Sequence, residues 1–332
     1  MPPSPELIFE TMQAYQRTAA LRAGIDLEVF TAIGEGADTV DAIAARCKSS
    51  TRGTRMLCDF LTVIGLIGKT GDRYELTPDS TFFLSKHSPA YLGGIMEFMN
   101  APAVVDNFDS LTAIVRRGTI TPSEDTVSTE NPVWERFARA MVPMMMPPAK
   151  AIAEVLGVAA AGPIRVLDLA AGHGIFGIVL AQQNAAAEIV ALDWPNVLTV
   201  ASEHAAKMGV GARHSTIAGD AFTVDFGGDY DVALVTNFLH HFDGPTCTTF
   251  LQKVAASLKP GGRVVVLEWV PNDDRVSPPA PAAFVLHMLV GTAGGDAFTL
   301  REYRGMLDAA GFHDISVRPL PPSPLTIIVG TK

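Results

Sequence analysis

Two hydrophobic periodicities divide the chain. Over the first third, apolar positions recur at three-to-four spacing, as on helices. Leu7, Ile8, Met12, Tyr15, Ala19 and Ala20 share one face of a helix too apolar to stand alone. Thr39 is a suitable N-cap for a helix over 40–46. Arg55, Met56, Leu57, Phe60, Leu61 and Ile64 keep helical register as far as Gly65. Residues 66–70 and 73–77 then read as two strands around the turn Gly71-Asp72. Helix, turn, helix and β-ribbon is the order of a winged helix. The Pro-, Ser-, Thr- and acid-containing stretch 122–132 reads as a surface loop, and 133–146 as a helix that Pro147-Pro148 should end.

From Ile164 the period changes. The runs 164–169, 188–193, 232–236 and 263–268 are β-branched, with little polar alternation. Strands buried on both faces of a parallel sheet have this pattern. Helical segments over 176–183 and 199–208 separate them, which predicts a doubly wound, Rossmann-like α/β sheet behind an α-rich first domain. A further helix over 300–310 and a strand pair within 315–330 close the chain. The expected division is a winged-helix domain over 1–120, a connecting segment over 121–150 and the α/β domain over 151–332.

Composition narrows this picture. With 332 residues, 48% apolar and 18% charged, each of two domains can bury a core. The balance of 25 basic against 35 acidic residues gives −10, which disfavours a nucleic-acid-coating protein. The winged-helix segment 39–77 carries six basic and four acidic residues, a net of only +2. A DNA-binding regulator is therefore the weaker reading of that segment, and a dimerisation and lid module the stronger one. The three cysteines, Cys47, Cys58 and Cys247, form neither a zinc motif nor a disulfide framework. The N-terminus lacks a signal-peptide pattern and no apolar run is long enough to span a bilayer, so a cytoplasmic location is expected.

Ligands of open α/β sheets bind beyond the carboxyl ends of the strands, so those segments carry the candidate chemistry. After the first strand comes Asp168-Leu-Ala-Ala-Gly-His-Gly-Ile-Phe-Gly177, where Gly172 and Gly174 allow close backbone approach. Gly177 completes the GxGxxG spacing, so NAD has to be weighed. Asp193 ends the second strand, about 20 residues further on, where an acid can accept both ribose hydroxyls of a nucleoside. Gly219-Asp220-Ala221-Phe222 follows a third strand, with Asp220 suited to an adenine amino group and Phe222 to its ring. The fourth strand runs into Thr236-Asn237-Phe238-Leu239-His240-His241-Phe242-Asp243, and Leu258-Lys-Pro-Gly-Gly-Arg263 leads to Glu268. The Asp220 and His240 segments have no role in an NAD oxidoreductase.

This ordered set resembles the class I S-adenosylmethionine-dependent O-methyltransferases that carry an N-terminal winged-helix dimerisation domain, the type of plant phenol methylation and bacterial secondary metabolism. The resemblance runs from about Glu6 to Gly330. It implies a homodimer that methylates a small, mostly apolar and aromatic hydroxyl acceptor. Gly172 and Gly174 would approach the methionine part of the cofactor, Asp193 would hold the ribose, and Asp220, Ala221 and Phe222 would frame the adenine. Trp194 would cover the adenine edge or pack on the next helix. His240 takes the position of the general base, with Glu268 as the acid that orients it. An unperturbed imidazole titrates near about 6.5 and accepts a phenol proton near neutrality. Phe137, Met141 and Met145, with Phe284 and Met288, would form a pliable acceptor wall.

Three departures from the family pattern stand out. Ala170-Ala171 replaces a glycine-rich start, and Thr236 stands where a lysine often contacts the cofactor carboxylate, leaving Asn237 for that contact. The segment Gly294-Gly-Asp-Ala-Phe-Thr299 puts Ala297 where a second acidic partner of the histidine is expected, with Asp296 one residue earlier. A carbon or sulfur nucleophile, or cofactor binding without methyl transfer, are the readings this last departure opens. His241 reads as a turn cap, His173 as a loop residue that faces solvent or touches the cofactor, and Asp168 as a loop-fixing group. No residue cluster has metal-ligand spacing.

Overall fold

The computed structural model describes residues 3–99, 102–121 and 132–332. All but Pro132 of the surface loop expected over 122–132 lies outside the described residues. The chain divides into two compact units, Met1–Glu97 and Phe98–Lys332.

The first unit is built from α1 (Glu6–Met12), α2 (Ala14–Asp26), α3 (Val29–Gly34), α4 (Val40–Cys47), α5 (Thr51–Val63), β1 (Ile67–Thr70), β2 (Arg73–Leu76) and α6 (Pro78–Phe83), with α7 (Gly93–Met99) leading across the boundary. The Thr39 hydroxyl caps α4 by accepting from the Ala42 N–H at 3.4 Å, and Ser50 does the same for α5 from Gly53. The two strands form an antiparallel hairpin in which Gly71 takes the left-handed conformation, φ +62°. Phe30, Ile43, Cys58, Leu61, Ile67 and Tyr74 make the core. Four of the six basic side chains of this winged helix are held in ion pairs. Arg46 pairs with Glu28 and Glu35, Arg55 and Lys69 share Asp59, and Arg73 meets Asp38. On α1 and the start of α2 the apolar stripe lies open: Leu7 is 73% exposed and Tyr15 69%.

The second unit opens with α8 (Pro102–Asp109), α9 (Leu111–Arg117) and α10 (Pro132–Leu156). It continues as β3 (Arg165–Leu169), α11 (Ile175–Gln183), β4 (Glu188–Asp193), α12 (Pro195–Lys207), β5 (His214–Ala218), β6 (Tyr230–Thr236), α13 (Gly244–Ser257), β7 (Leu258–Trp269), α14 (Pro279–Gly291), α15 (Leu300–Ala309), β8 (His313–Pro319) and β9 (Leu325–Thr331). The seven-stranded sheet has the order β5-β4-β3-β6-β7-β9-β8. Its first five strands run parallel, and β9 is antiparallel to both neighbours. One apolar cluster fills each face, around Leu169, Phe250 and Tyr303 on one side and Ile152, Ile178 and Leu267 on the other. Among the described residues no helix is long and apolar enough to cross a membrane.

Two boundaries differ from the sequence reading. The units divide at Glu97, ahead of the junction expected between 120 and 150, because Ile114 of α9 and Ile120 just beyond it cluster with Val290 of α14. The Asn107 side-chain amide also donates to the Val290 carbonyl at 2.7 Å. The prolines do not end α10, which runs through Pro143, Pro147 and Pro148. Each proline costs a helix interior about 3 kcal/mol. Burial of Met145, Ala149, Ile152, Ala153 and Leu156, all at most 5% exposed, offsets this at about 1.5–3 kcal/mol per large side chain.

Candidate active site

From β3 the chain steps to β4 and β5 on one side, then returns to β6 on the other. At this switch point the loops leaving β3, β4, β5 and β6 converge on a cleft. It has two lobes that share Ala170, Asp193, Trp194 and Phe238. The first is walled by the loop Ala170–His173, Asn237 and His241, and by Trp134, Phe137 and Met145 of α10. The second is walled by Gly219–Phe222 and Phe242.

Gly172 sits at φ +56°, and a β-carbon there would meet nothing nearer than 3.9 Å, so its backbone faces open space. Its N–H donates to Asp193 Oδ2 at 2.8 Å, and the Trp194 N–H donates to Oδ1 at 2.7 Å. Burial pushes the Asp193 carboxyl up to about 6 against these two bonds. Each of its oxygens keeps a free lone pair, so two ribose hydroxyls can still donate to it. Gly174 serves packing instead. At φ +71° it begins α11, and a β-carbon would lie 3.0 Å from that of Ala201 on α12. It does not line the cleft, unlike the approach to a cofactor that the resemblance implied.

Asp168 is fully buried, accepts the Gly177 N–H at 3.1 Å, and is pushed up to about 7 by burial. His173 does not face solvent. Its ring is buried, and Nδ1 accepts the Ile175 N–H at 3.1 Å, capping α11. Burial depresses it to about 3, so it stays neutral with its proton on Nε2. In the second lobe Asp220 Oδ1 accepts the Phe222 N–H at 2.9 Å. Lys253 of α13 fixes this loop from behind by donating to the carbonyls of Ala221, Phe222 and Val224 at 3.0, 3.0 and 2.6 Å. Sequence reasoning missed this lysine, since only the fold brings it to the loop.

Beyond β6, Asn237 takes a left-handed conformation, φ +51°, and starts a tight turn through Leu239–His241. Glu268, at the end of β7 and wholly buried, organises that turn. Its Oε1 accepts the N–H groups of Phe238 and Leu239, both at 2.9 Å, while Oε2 lies 2.6 Å from His240 Nδ1. A carboxylate can only accept here, so the His240 proton sits on Nδ1 and Nε2 is left as a lone-pair acceptor. Edge-on against the His240 ring stands Phe284, 5.0 Å away, which is itself stacked on Trp269 at 4.6 Å.

The segment with the missing acid also packs on this turn. Asp296 does not present its carboxylate to His240. Its Oδ2 pairs with Arg275 at 3.2 Å, and its backbone N–H donates to the His240 carbonyl at 3.0 Å. Gly295 allows the approach, since a β-carbon there would lie 2.2 Å from that carbonyl. Of the expected acceptor wall, Phe137 and Met145 line the cleft, whereas Met141, Phe284 and Met288 do not. Met141 packs on the core beneath α10, and Met288 is buried within α14. His241 caps the turn, with Nδ1 3.1 Å from the Phe238 carbonyl oxygen, and it also lines the cleft wall. Among the described residues no group of three or more His, Cys, Asp or Glu is arranged to hold a metal ion.

The two lobes meeting at an acidic residue suit a nucleoside with a polar tail, and comparison with known proteins gives that fit its name. The O-methyltransferase domain family matches residues 139–313, and the O-methyltransferase dimerisation domain matches 9–86. The chain belongs to the O-methyltransferases, S-adenosylmethionine-dependent enzymes in which the sheet domain follows a dimerisation domain. A crystal structure of a candidate O-methyltransferase from Nostoc punctiforme is similar over 100% of both chains, at 46% identity and a TM-score of 0.95. The 3-hydroxy-5-methyl-1-naphthoate 3-O-methyltransferase of Streptomyces sahachiroi is 25% identical over 99% of this chain and 95% of its own. Human N-acetylserotonin methyltransferase, solved with S-adenosylmethionine, shares the fold at a TM-score of 0.84 and 22% identity, over 98% and 97% of the two chains.

Proposed function

We propose that this enzyme methylates a hydroxyl group of a small, flat aromatic acceptor, with His240 as general base. The observation that carries this reading is the buried Glu268–His240 pair, which leaves Nε2 as a proton acceptor on a turn whose other residues Asn237, Phe238 and His241, though not His240 itself, line the aromatic cleft. A naphthoate hydroxyl is the site named for the Streptomyces relative, and the aromatic lining of the first lobe suits a ring of that kind.

When bound, S-adenosylmethionine supplies an electrophilic methyl group on a sulfonium. Asp193 holds its ribose, Asp220, Ala221 and Phe222 its adenine, and Gly172 with Asn237 its methionine end. Trp194 closes the seam between the lobes. Phe137 and Met145 hold the acceptor ring against the turn that carries His240. His240 Nε2 then takes the hydroxyl proton as the oxygen becomes the nucleophile, and Glu268 stabilises the imidazolium that forms. Alignment within the closed cleft supplies much of the remaining acceleration. The enzyme works as a homodimer through the first unit, where the open stripe Leu7, Ile8, Met12 and Tyr15 awaits a second copy.

The test is methyl-labelled S-adenosylmethionine with phenolic acceptors. A labelled methyl ether together with S-adenosylhomocysteine is expected, and S-adenosylhomocysteine but not NAD should raise Tm. Label on carbon or sulfur, or stabilisation by NAD, would replace this reading.

A further inference from the structure

His241 is a feature the base assignment leaves unused. Its ring lies in the wall of the first lobe, edge-on to Trp134 at 5.7 Å. Nδ1 is 3.1 Å from the Phe238 carbonyl oxygen, which can only accept, so the proton is on Nδ1 and Nε2 is a bare acceptor. Burial, together with the neighbouring His240, holds its pKa well below 6.5, so it does not become a donor near neutrality. The His240 and His241 rings lie 4.2 Å apart at 38°. Each has its Nδ1–H engaged, by Glu268 and by Phe238, and among the described residues no hydrogen bond reaches either Nε2; of the two rings, His241 is the one in the cleft wall.

Two adjacent acceptors have a direct consequence for what can bind. A single hydroxyl covers both from water but donates to only one, and a polar group left covered and unpaired is costly. A methoxy or carboxylate oxygen beside the reacting hydroxyl places lone pair against lone pair. A ring with two neighbouring donors satisfies both imidazoles at once.

We propose that His241 is a substrate-binding residue that selects aromatic acceptors bearing a second hydrogen-bond donor, a hydroxyl or amino group, ortho to the hydroxyl that His240 deprotonates. The inference rests on the O-methylation reading above and adds the substrate class to it.

Calorimetric titration of the S-adenosylhomocysteine-loaded dimer with catechol, 2-aminophenol, phenol and 2-methoxyphenol tests this without turnover. Catechol and 2-aminophenol should bind about tenfold tighter than phenol and 2-methoxyphenol, the worth of one well-made hydrogen bond. In His241→Phe the preference should shrink to within about twofold, with the affinity for S-adenosylhomocysteine unchanged. Equal affinities in the wild type, or a preference that survives His241→Phe, overturns the proposal; the wild-type comparison decides even if the variant does not fold. Assay of the same four compounds with S-adenosylmethionine separates the two readings. Selective binding of catechol with no methyl ether formed leaves the selection standing and removes O-methylation. Methylation of phenol as readily as catechol leaves O-methylation standing and removes the selection. If none of the four binds, both fail.

Discussion

Glu268→Gln is the sharpest perturbation of the proposed chemistry, because it changes one atom and removes one charge without altering shape. In the wild type one carboxylate serves two sets of donors: the Phe238 and Leu239 N–H groups on Oε1 and His240 Nδ1 on Oε2. A glutamine has only one oxygen. If that oxygen keeps the backbone N–H groups, the side-chain NH2 faces His240 and forces its proton to Nε2, which is then no longer a base. If it keeps His240, two buried N–H groups face an NH2. An unsatisfied buried group costs about 1–3 kcal/mol, a penalty that only this second arrangement carries. The turn is more costly to break than the ring is to re-protonate, so the first arrangement should prevail. General-base catalysis contributes roughly 10²–10⁴-fold, and kcat should fall by that range. S-adenosylhomocysteine affinity should stay within about threefold by calorimetry, since Glu268 lines neither lobe. A variant that keeps about a third or more of wild-type kcat would show that the Glu268 carboxylate does not set the base.

Three further outcomes follow from the same geometry. Lys253→Met frees three carbonyls behind the adenine lobe, so the Kd for S-adenosylhomocysteine should rise about tenfold while kcat at saturating cofactor changes little; an unchanged Kd contradicts the clamp. Gly295→Ala puts a β-carbon 2.2 Å from the His240 carbonyl, so kcat should drop at least tenfold, roughly, with cofactor affinity retained, and full activity would show the contact to be idle. The pH dependence runs in two directions. Asp168 and Asp193 are raised from 3.8 to about 7 and about 6, so their contribution to the stability of the ligand-free protein is fully present below 3.8 and lost as pH rises through 6 to 7. The ribose hydroxyls need ionised Asp193, so S-adenosylhomocysteine affinity should be flat above about 6 and fall up to tenfold per pH unit below it; a flat titration from pH 5 to 8, roughly, would exclude Asp193 as the ribose ligand.

The sheet was legible because its strands are β-branched runs at the spacing of βαβ units, and the winged helix because Thr39, Gly65 and Gly71 punctuate it. Sequence signals stop where tertiary burial outweighs local preference. Three prolines argue for an end to α10, yet burial of its later turns carries the helix through them. The family resemblance pairs Glu268 with His240, and the structure has them 2.6 Å apart. His173 and Gly174 behave otherwise, because what a loop residue faces is set by the packing around it. Ala201, distant in sequence, explains Gly174, while His173 turns inward and accepts the Ile175 N–H; His241 keeps its place in the turn on Phe238, with Trp134 against its ring. Lys253 carried no motif at all. Its part is visible only once α13 lies under the loop after β5.

The central claim is that His240, oriented by Glu268, removes the proton from an aromatic hydroxyl as the methyl group arrives. Single-turnover transfer from labelled S-adenosylmethionine to catechol, in the wild type and in His240→Ala, tests it most directly. A methyl ether is expected from the wild type, with a rate at least about 100-fold lower in the variant and S-adenosylhomocysteine binding unchanged. Transfer at the wild-type rate by a His240→Ala enzyme that binds cofactor normally would contradict it.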